Sequence, residues 1–195
     1  MTASNELTSA AARLVVEDGL EYGAAKHKAA RELLRRHVRA ADLPSNEAVE
    51  DGVREYLAVF MADTQPAELD AMRRLALRWM DRLTEFRPHL AGAVWRGTAT
   101  RRSAIQLELY CDDPKSAEIA LLNAQVDYQF AGQADEHDVL SLLDRCDGFD
   151  EPVQLLLHIR DHDDLRGGLK PDTRGRTWRG DRDALVRLLD DAGSR

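Results

Sequence analysis

The stretch L-A-G-A-V-W-R-G-T-A-T-R-R-S-A-I-Q-L-E-L, from Leu90 to Leu109, changes the character of the chain. It opens on a short apolar run, Leu90 to Trp95, passes through Gly97 and Thr98, and enters A-I-Q-L-E-L-Y-C from Ala104. In that last segment Ile105, Leu107, Leu109 and Cys111 alternate with polar neighbours, the period-two signature of a strand. Two strands joined by a glycine turn are therefore expected here.

Upstream the spacing is helical. Leu7, Ala11, Leu14, Val15, Tyr22, Ala29 and Leu33 recur with helical period between Glu6 and Val38, and Gly19 and Gly23 mark a break, so one helix or two short ones fit. After A-D-L-P-S-N, Ser45 or Asn46 caps a helix whose stripe is Val49, Val53, Leu57 and Phe60. Thr64 and Pro66 start a third, with Leu69, Met72, Ala76, Trp79, Met80, Leu83 and Phe86 on one face and Arg73, Arg74, Asp81 and Arg82 on the other. Pro88 stops it.

Downstream, Asp112, Asp113 and Pro114 end the second strand and open a helix that buries Ala117, Ile119, Ala120 and Leu121. Gln125 to Phe130 reads as a strand, Asp138 to Leu143 as a helix, and V-Q-L-L-L-H-I from Val153 as a further strand, giving a sheet of about four strands. A loop rich in Gly, Pro and Arg follows, and Asp181 or Asp183 caps a final helix with Leu185, Leu188 and Leu189. The expected fold class is α+β: a helical N-terminal region (1–88) packed on a small mixed sheet (89–160), with an Arg/Gly-rich loop and C-terminal helix (161–195), all in one compact unit.

Composition narrows the function classes. The 195 residues suffice to bury a core without a staple, and the two cysteines, Cys111 and Cys146, form no C-x-x-C pair, so both are expected reduced and structural. No apolar run reaches the roughly 20 residues of a membrane span, and M-T-A-S-N-E-L-T-S has no signal-peptide pattern, so a cytoplasmic location is expected. A net charge of −8 repels polyphosphate over most of the surface, which leaves nucleic acid only the local basic tail. That tail, Arg166, Lys170, Arg174, Arg176, Arg179 and Arg182 around Trp178, has the chemistry to grip a phosphate or stack on a base, or to pair with the acidic surface. In H-I-R-D-H-D-D, His158 and His162 lie in a strand and loop, a spacing that suits a solvated acidic loop better than a metal site. Lys26, His27 and Lys28 read as a wet face. Dinucleotide, Walker-type and nucleophile-elbow motifs are absent from the sequence.

Leu90 to Leu109 resembles the signature of the nucleotidyltransferase superfamily. There a strand ends in Gly-Ser, and Ser-Asp-hydrophobic-Asp-hydrophobic begins the next. The resemblance implies that Gly97 and Thr98 stand for the Gly-Ser pair, with Ser103, Ile105 and Leu107 matching the second element. In an alternative register Gly92 and Ala93 are the phosphate-loop pair and Gly97 a later glycine. In either register the metal-binding aspartates are replaced by Ala104 and Gln106. Alanine offers no ligand and glutamine no charge, so a magnesium ion would be held poorly. The family's third carboxylate is expected at Asp127.

Three functional readings follow. The first is a nucleotidyltransferase-like protein that has lost catalysis and acts in ligand binding, regulation or partner contact, using Gly97, Thr98 and Ser103 toward a nucleotide or other small ligand and no cofactor. The second keeps metal-dependent nucleotidyl transfer, with Mg2+ on a shifted set, Glu108, Asp112 and Asp127, because Glu108 and Asp112 share the Gln106 face by period two. The third is a protein-binding scaffold whose amphipathic helices form a homodimer.

Overall fold

A computed structural model describes residues 3–34, 42–134, 137–165 and 175–193. The chain divides into two compact units: Met1–Pro66 with Thr98–Arg102, and Ala67–Gly97 with Ser103–Arg195. The division thus falls inside a helix and on either side of the segment Thr98–Arg102.

The first unit is helical. Helices α1 (Ala3–Asp18), α2 (Tyr22–Leu34) and α3 (Asn46–Phe60) bury one another's small and branched residues, Leu7, Ala11, Ala12 and Leu14 against Ala25, Ala29, Val49, Val53 and Leu57. The break between the first two is at Gly19, which has φ +67°. Ser45 caps α3, its Oγ accepting the Ala48 N–H at 3.1 Å. The wet face of α2 is engaged by ions and polar groups: Lys28 lies 2.7 Å from Asp18, and Lys26 donates to Asn46 Oδ1 at 2.8 Å.

The second unit carries a six-stranded mixed sheet. Its strands are β1 (His89–Ala91), β2 (Ile105–Tyr110), β3 (Gln129–Ala134), β4 (His137–Asp144), β5 (Val153–Arg160) and β6 (Arg179–Gly180), in the order β3-β4-β5-β2-β1-β6. Only β2 and β5 run parallel; the other neighbours are antiparallel. Helices α4 (Gln65–Arg82), α5 (Gly92–Arg96), α6 (Lys115–Asn123) and α7 (Arg182–Gly193), with 3-10 turns at Thr84–Phe86 and His162–Leu165, complete the described elements. Met72, Leu75, Met80, Leu90, Ile105, Leu107, Leu109, Leu121, Leu155, Leu157 and Leu185 form the buried apolar set. None of the helices among the described residues is long and apolar enough to cross a membrane.

The α+β class stands, with several elements revised. Residues 138–143 are strand rather than helix: β4 is hydrogen-bonded to β3 on one side and β5 on the other, and this ladder overrides the helical propensity of its leucines. The strand expected from Gln125 starts at Gln129, because residues 124–126 are spent closing α6. Gln125 takes the left-handed conformation (φ +54°), and the Val126 N–H bonds to Leu121 O at 3.0 Å. The run Leu90–Trp95 is strand only to Ala91 and then turns into α5. In α6, Ala117 and Leu121 are buried, whereas Ile119 and Leu122 face outward. Asp181 caps α7, accepting the Ala184 N–H at 2.8 Å.

Candidate functional site

Period two sends alternate residues of β2 to opposite faces. Ile105, Leu107 and Leu109 face the core; Gln106, Glu108 and Tyr110 face the other way, beside His89 and Ala91 of β1 and His158 and Arg160 of β5. Ala91 also pairs with Arg179 of β6, which brings a residue from the basic tail onto the same face.

At the head of this face β1 ends at Gly92. Its φ of +66° belongs to the left-handed region, and a Cβ there would lie 2.9 Å from Cδ of Gln106. Only glycine fits both the turn and the approach. Gly92 and Gln106, the glycine and the second metal position of the alternative register, therefore stand in contact. Gly97 closes α5 in the left-handed conformation (φ 79°), its N–H bonded to Ala93 O. Arg73 of α4, expected on a wet face, is buried instead: Nε donates to Val94 O at 3.1 Å and Nη2 to Trp95 O at 3.3 Å, satisfying carbonyls at the end of α5.

The centre of the face is an internal ion cluster. Glu108 is 6% exposed, and its carboxylate lies 3.1 Å from Nε of Arg160. The Nη1 of Arg179 makes a close ion pair with its other oxygen. The Tyr110 hydroxyl donates to Glu108 Oε2 at 2.7 Å and accepts from Arg179 Nη1 at 2.5 Å. His89 closes one side, its ring edge-on to Tyr110 at 5.3 Å and its Nδ1 2.8 Å from the Arg87 carbonyl. Burial, reinforced by the hydrogen bond to Glu108, pushes the Tyr110 phenol up to about 12, so it stays a proton donor at neutral pH. A carboxylate set between two guanidinium groups and a phenol has its charge answered from within the chain.

The tail segment is fastened over this region. Trp95 Nε1 donates to Thr177 O at 2.9 Å, Arg96 Nη1 donates to the same oxygen at 3.3 Å, and the Arg96 guanidinium lies 4.3 Å from the centroid of the Trp178 ring. Gly180 touches the Trp95 indole so closely that a Cβ would fall 2.1 Å from its Cη2. Arg182 pairs with Asp81 at 2.5 Å. Arg166, Lys170 and Arg174 lie outside the described residues.

The other expected site residues are dispersed. Thr98 is buried, Ser103 half-buried, and the unit boundaries fall between Gly97 and Thr98 and between Arg102 and Ser103. Asp112 is exposed in the bend after β2. Asp127 lies between α6 and β3, and lines a hollow of about 450 Å³ with Tyr128, Gln129, Ser141 and Leu143. Glu108 of the shifted metal set lies on β2, which is flanked by β5 and β1, and two strands separate β2 from β3, the strand that follows Asp127. Among the described residues, no group of three or more His, Cys, Asp or Glu side chains has the spacing to hold a metal ion. His162 lies in a short 3-10 turn and contacts Arg87 Nη1 at 2.9 Å, whereas His158 stands opposite Glu108 in the β2–β5 ladder. Burial raises the thiols of Cys111 and Cys146, as suits structural cysteines.

Sequence reasoning passed over Arg160, Tyr110 and His89, set Arg73 on a wet face, and named Arg179 only as one of the basic tail residues. Tyr110 and Arg160 had a signal, since each keeps the strand parity of a polar face. Arg179 was legible as a basic tail residue but not as part of the sheet, because a two-residue strand leaves no period to read.

No family model matches the sequence, and no curated protein matches it. Among solved structures the chain is similar to the Cid1 poly(U) polymerase bound to MgGTP, with 16% identity, a TM-score of 0.38, and coverage of 60% of this chain and 39% of that one. The complex of Cid1 with its short product ApU gives 17% identity and a TM-score of 0.39 over 60% of this chain and 37% of that one. A cytoplasmic RNA terminal U-transferase gives 18% and 0.37 over 57% and 35%. The chain thus spans about two fifths of the length of these enzymes. The likeness is partial.

Proposed function

We propose that this chain is a nucleotidyltransferase-like protein that does not transfer nucleotidyl groups and acts instead by binding a small ligand or a partner. One observation carries the reading: Glu108, a carboxylate on the Gln106 face, is buried and engaged by Arg160, Arg179 and Tyr110. Nucleotidyl transfer depends on carboxylates that hold divalent cations against the phosphates. Here the aspartate positions are Ala104 and Gln106, and the nearby acid is neutralised by the chain's own arginines. The functional consequence is a binding face with fixed charges.

Calorimetry with ATP, with and without magnesium, tests it, alongside incorporation of labelled nucleotide into an RNA primer. The expected result is no incorporation, and no magnesium dependence in whatever binding is measured. Magnesium-dependent binding that Asp127→Ala abolishes would restore the enzyme reading.

A further inference from the structure

An edge strand leaves one row of backbone N–H and C=O groups open to another strand, and proteins blunt such edges by shortness, charge, proline, bulges or cover. The sheet treats its two edges differently. At β6 the edge is two residues long, carries Arg179, and is packed against the Trp95 indole at Gly180. At β3 it is six residues long, Gln129–Ala134, and among the described residues this strand pairs only with β4. Of the blunting devices β3 has one, a bulge where the register steps from Phe130 to Gly132. It has no proline, and among the described strands it alone carries no Asp, Glu, Lys, Arg or His.

The apolar cover of the sheet also stops short of this edge. Phe130 stands opposite Leu140, which is buried, so the ring lies on the core side of the sheet, yet it is 61% exposed. On α6 the Glu118 carboxylate accepts from the Tyr128 hydroxyl at 3.2 Å, which ties the helix to the chain two residues before Phe130. Leu122, one turn beyond Glu118, is 62% exposed. An open backbone edge, an aromatic ring and an apolar helix flank thus meet at one border of the sheet.

Charge and symmetry select the occupant. A chain of net charge −8 repels its own copies over most of its surface, and β3 is the strand that sets no charge against another copy. It is also its own complement, because antiparallel pairing about a two-fold brings Phe130 beside Phe130, a cross-strand aromatic pair. In the sequence the uncharged stretch is bounded by Asp127 and Asp135. A two-fold at Phe130 sets each Asp127 opposite the other copy's Gln133, so acid does not meet acid.

We infer that β3 is the seam of a symmetric dimer, pairing antiparallel with β3 of a second copy about a two-fold near Phe130. Because the β6 edge is short and covered, assembly stops at two. The seam is separated from β2 by two strands and stands whether or not the Gln106 face binds a ligand.

Sedimentation velocity of the full chain from about 5 to 200 µM, with amide hydrogen exchange at both ends of that range, tests the seam. A monomer–dimer equilibrium is expected, with protection of Gln129–Ala134 rising as the dimer fills. Phe130→Lys and Gln129→Lys, both at exposed positions, should each weaken the dimer by about tenfold or more through like charges facing across the two-fold, with circular dichroism unchanged. A monomer throughout would overturn the proposal, as would a dimer that both variants leave intact. A dimer without added protection in β3, or species that grow beyond two copies, would overturn it as well.

Discussion

On one face of β2 stand Ile105, Leu107 and Leu109, each fully buried; on the other, one residue out of phase, stand Gln106, Glu108 and Tyr110. The same six residues of backbone serve both. The first face is held by apolar burial, which depends on area and volume and has no direction. The second is held by a carboxylate, two guanidinium groups and a phenol, whose energies depend on geometry and on each partner being present. Substitutions that change the chemistry of this protein can therefore accumulate on one parity of the strand while the other keeps the fold intact.

Breaking the apolar face should have the largest effect. Leu107→Ala is expected to cost about 3–4 kcal/mol in urea unfolding followed by circular dichroism, because a fully buried side chain leaves a cavity the sheet cannot close. A loss near zero would mean that the two faces do not differ in the way described. Next comes the ion cluster. Glu108→Gln should cost about 2–3 kcal/mol, somewhat under the figure for a fully buried pair, since Arg160 and Arg179 remain 18% and 20% exposed. Adding Arg179→Met should recover part of that loss, and simple additivity of the two changes would show that the pair is not coupled.

A pH series sharpens the contrast further. The folded-state value of Tyr110, about 12, lies above the ordinary 10.0, so its contribution is complete below pH 10 and is lost as pH rises toward 12. A decline on the order of 2 kcal/mol is expected across that window, and Tyr110→Phe should flatten it. A slope unchanged in the Phe variant would remove Tyr110 from the cluster. The smallest effect belongs outside both faces: Asp127→Ala, in the segment between α6 and β3, should shift stability by no more than about 0.5 kcal/mol.

What could be read from the sequence follows the same division. The strand of Ile105 to Tyr110, the Ser45 cap, the stripe of α4 and the strand from Val153 were legible because each is a local rule about period or capping. Residues 138–143 were misread because a leucine-rich run fits either period, and only the ladders to β3 and β5 decide it. At the candidate site the glycines and Gln106 were visible. The partners of Glu108 were not. Arg160 lies in a strand parallel to β2 and more than forty residues farther along the chain, and Arg179 lies beyond it, so their meeting is a fact of topology. Asp127 was drawn to the site by a family pattern, and the strand order places its segment at the sheet's far edge.

Trp79, Trp95 and Trp178, all the tryptophans of the chain, belong to the unit that holds the sheet, while the helical unit has Tyr22 and Tyr56 as its only fluorophores of that class. Indole emission is therefore a private optical channel for the sheet unit. Excitation at the red edge of the protein band will follow the melting of that half alone, and any mismatch with the amide signal of the whole chain will date the other half's transition without a label or a cut.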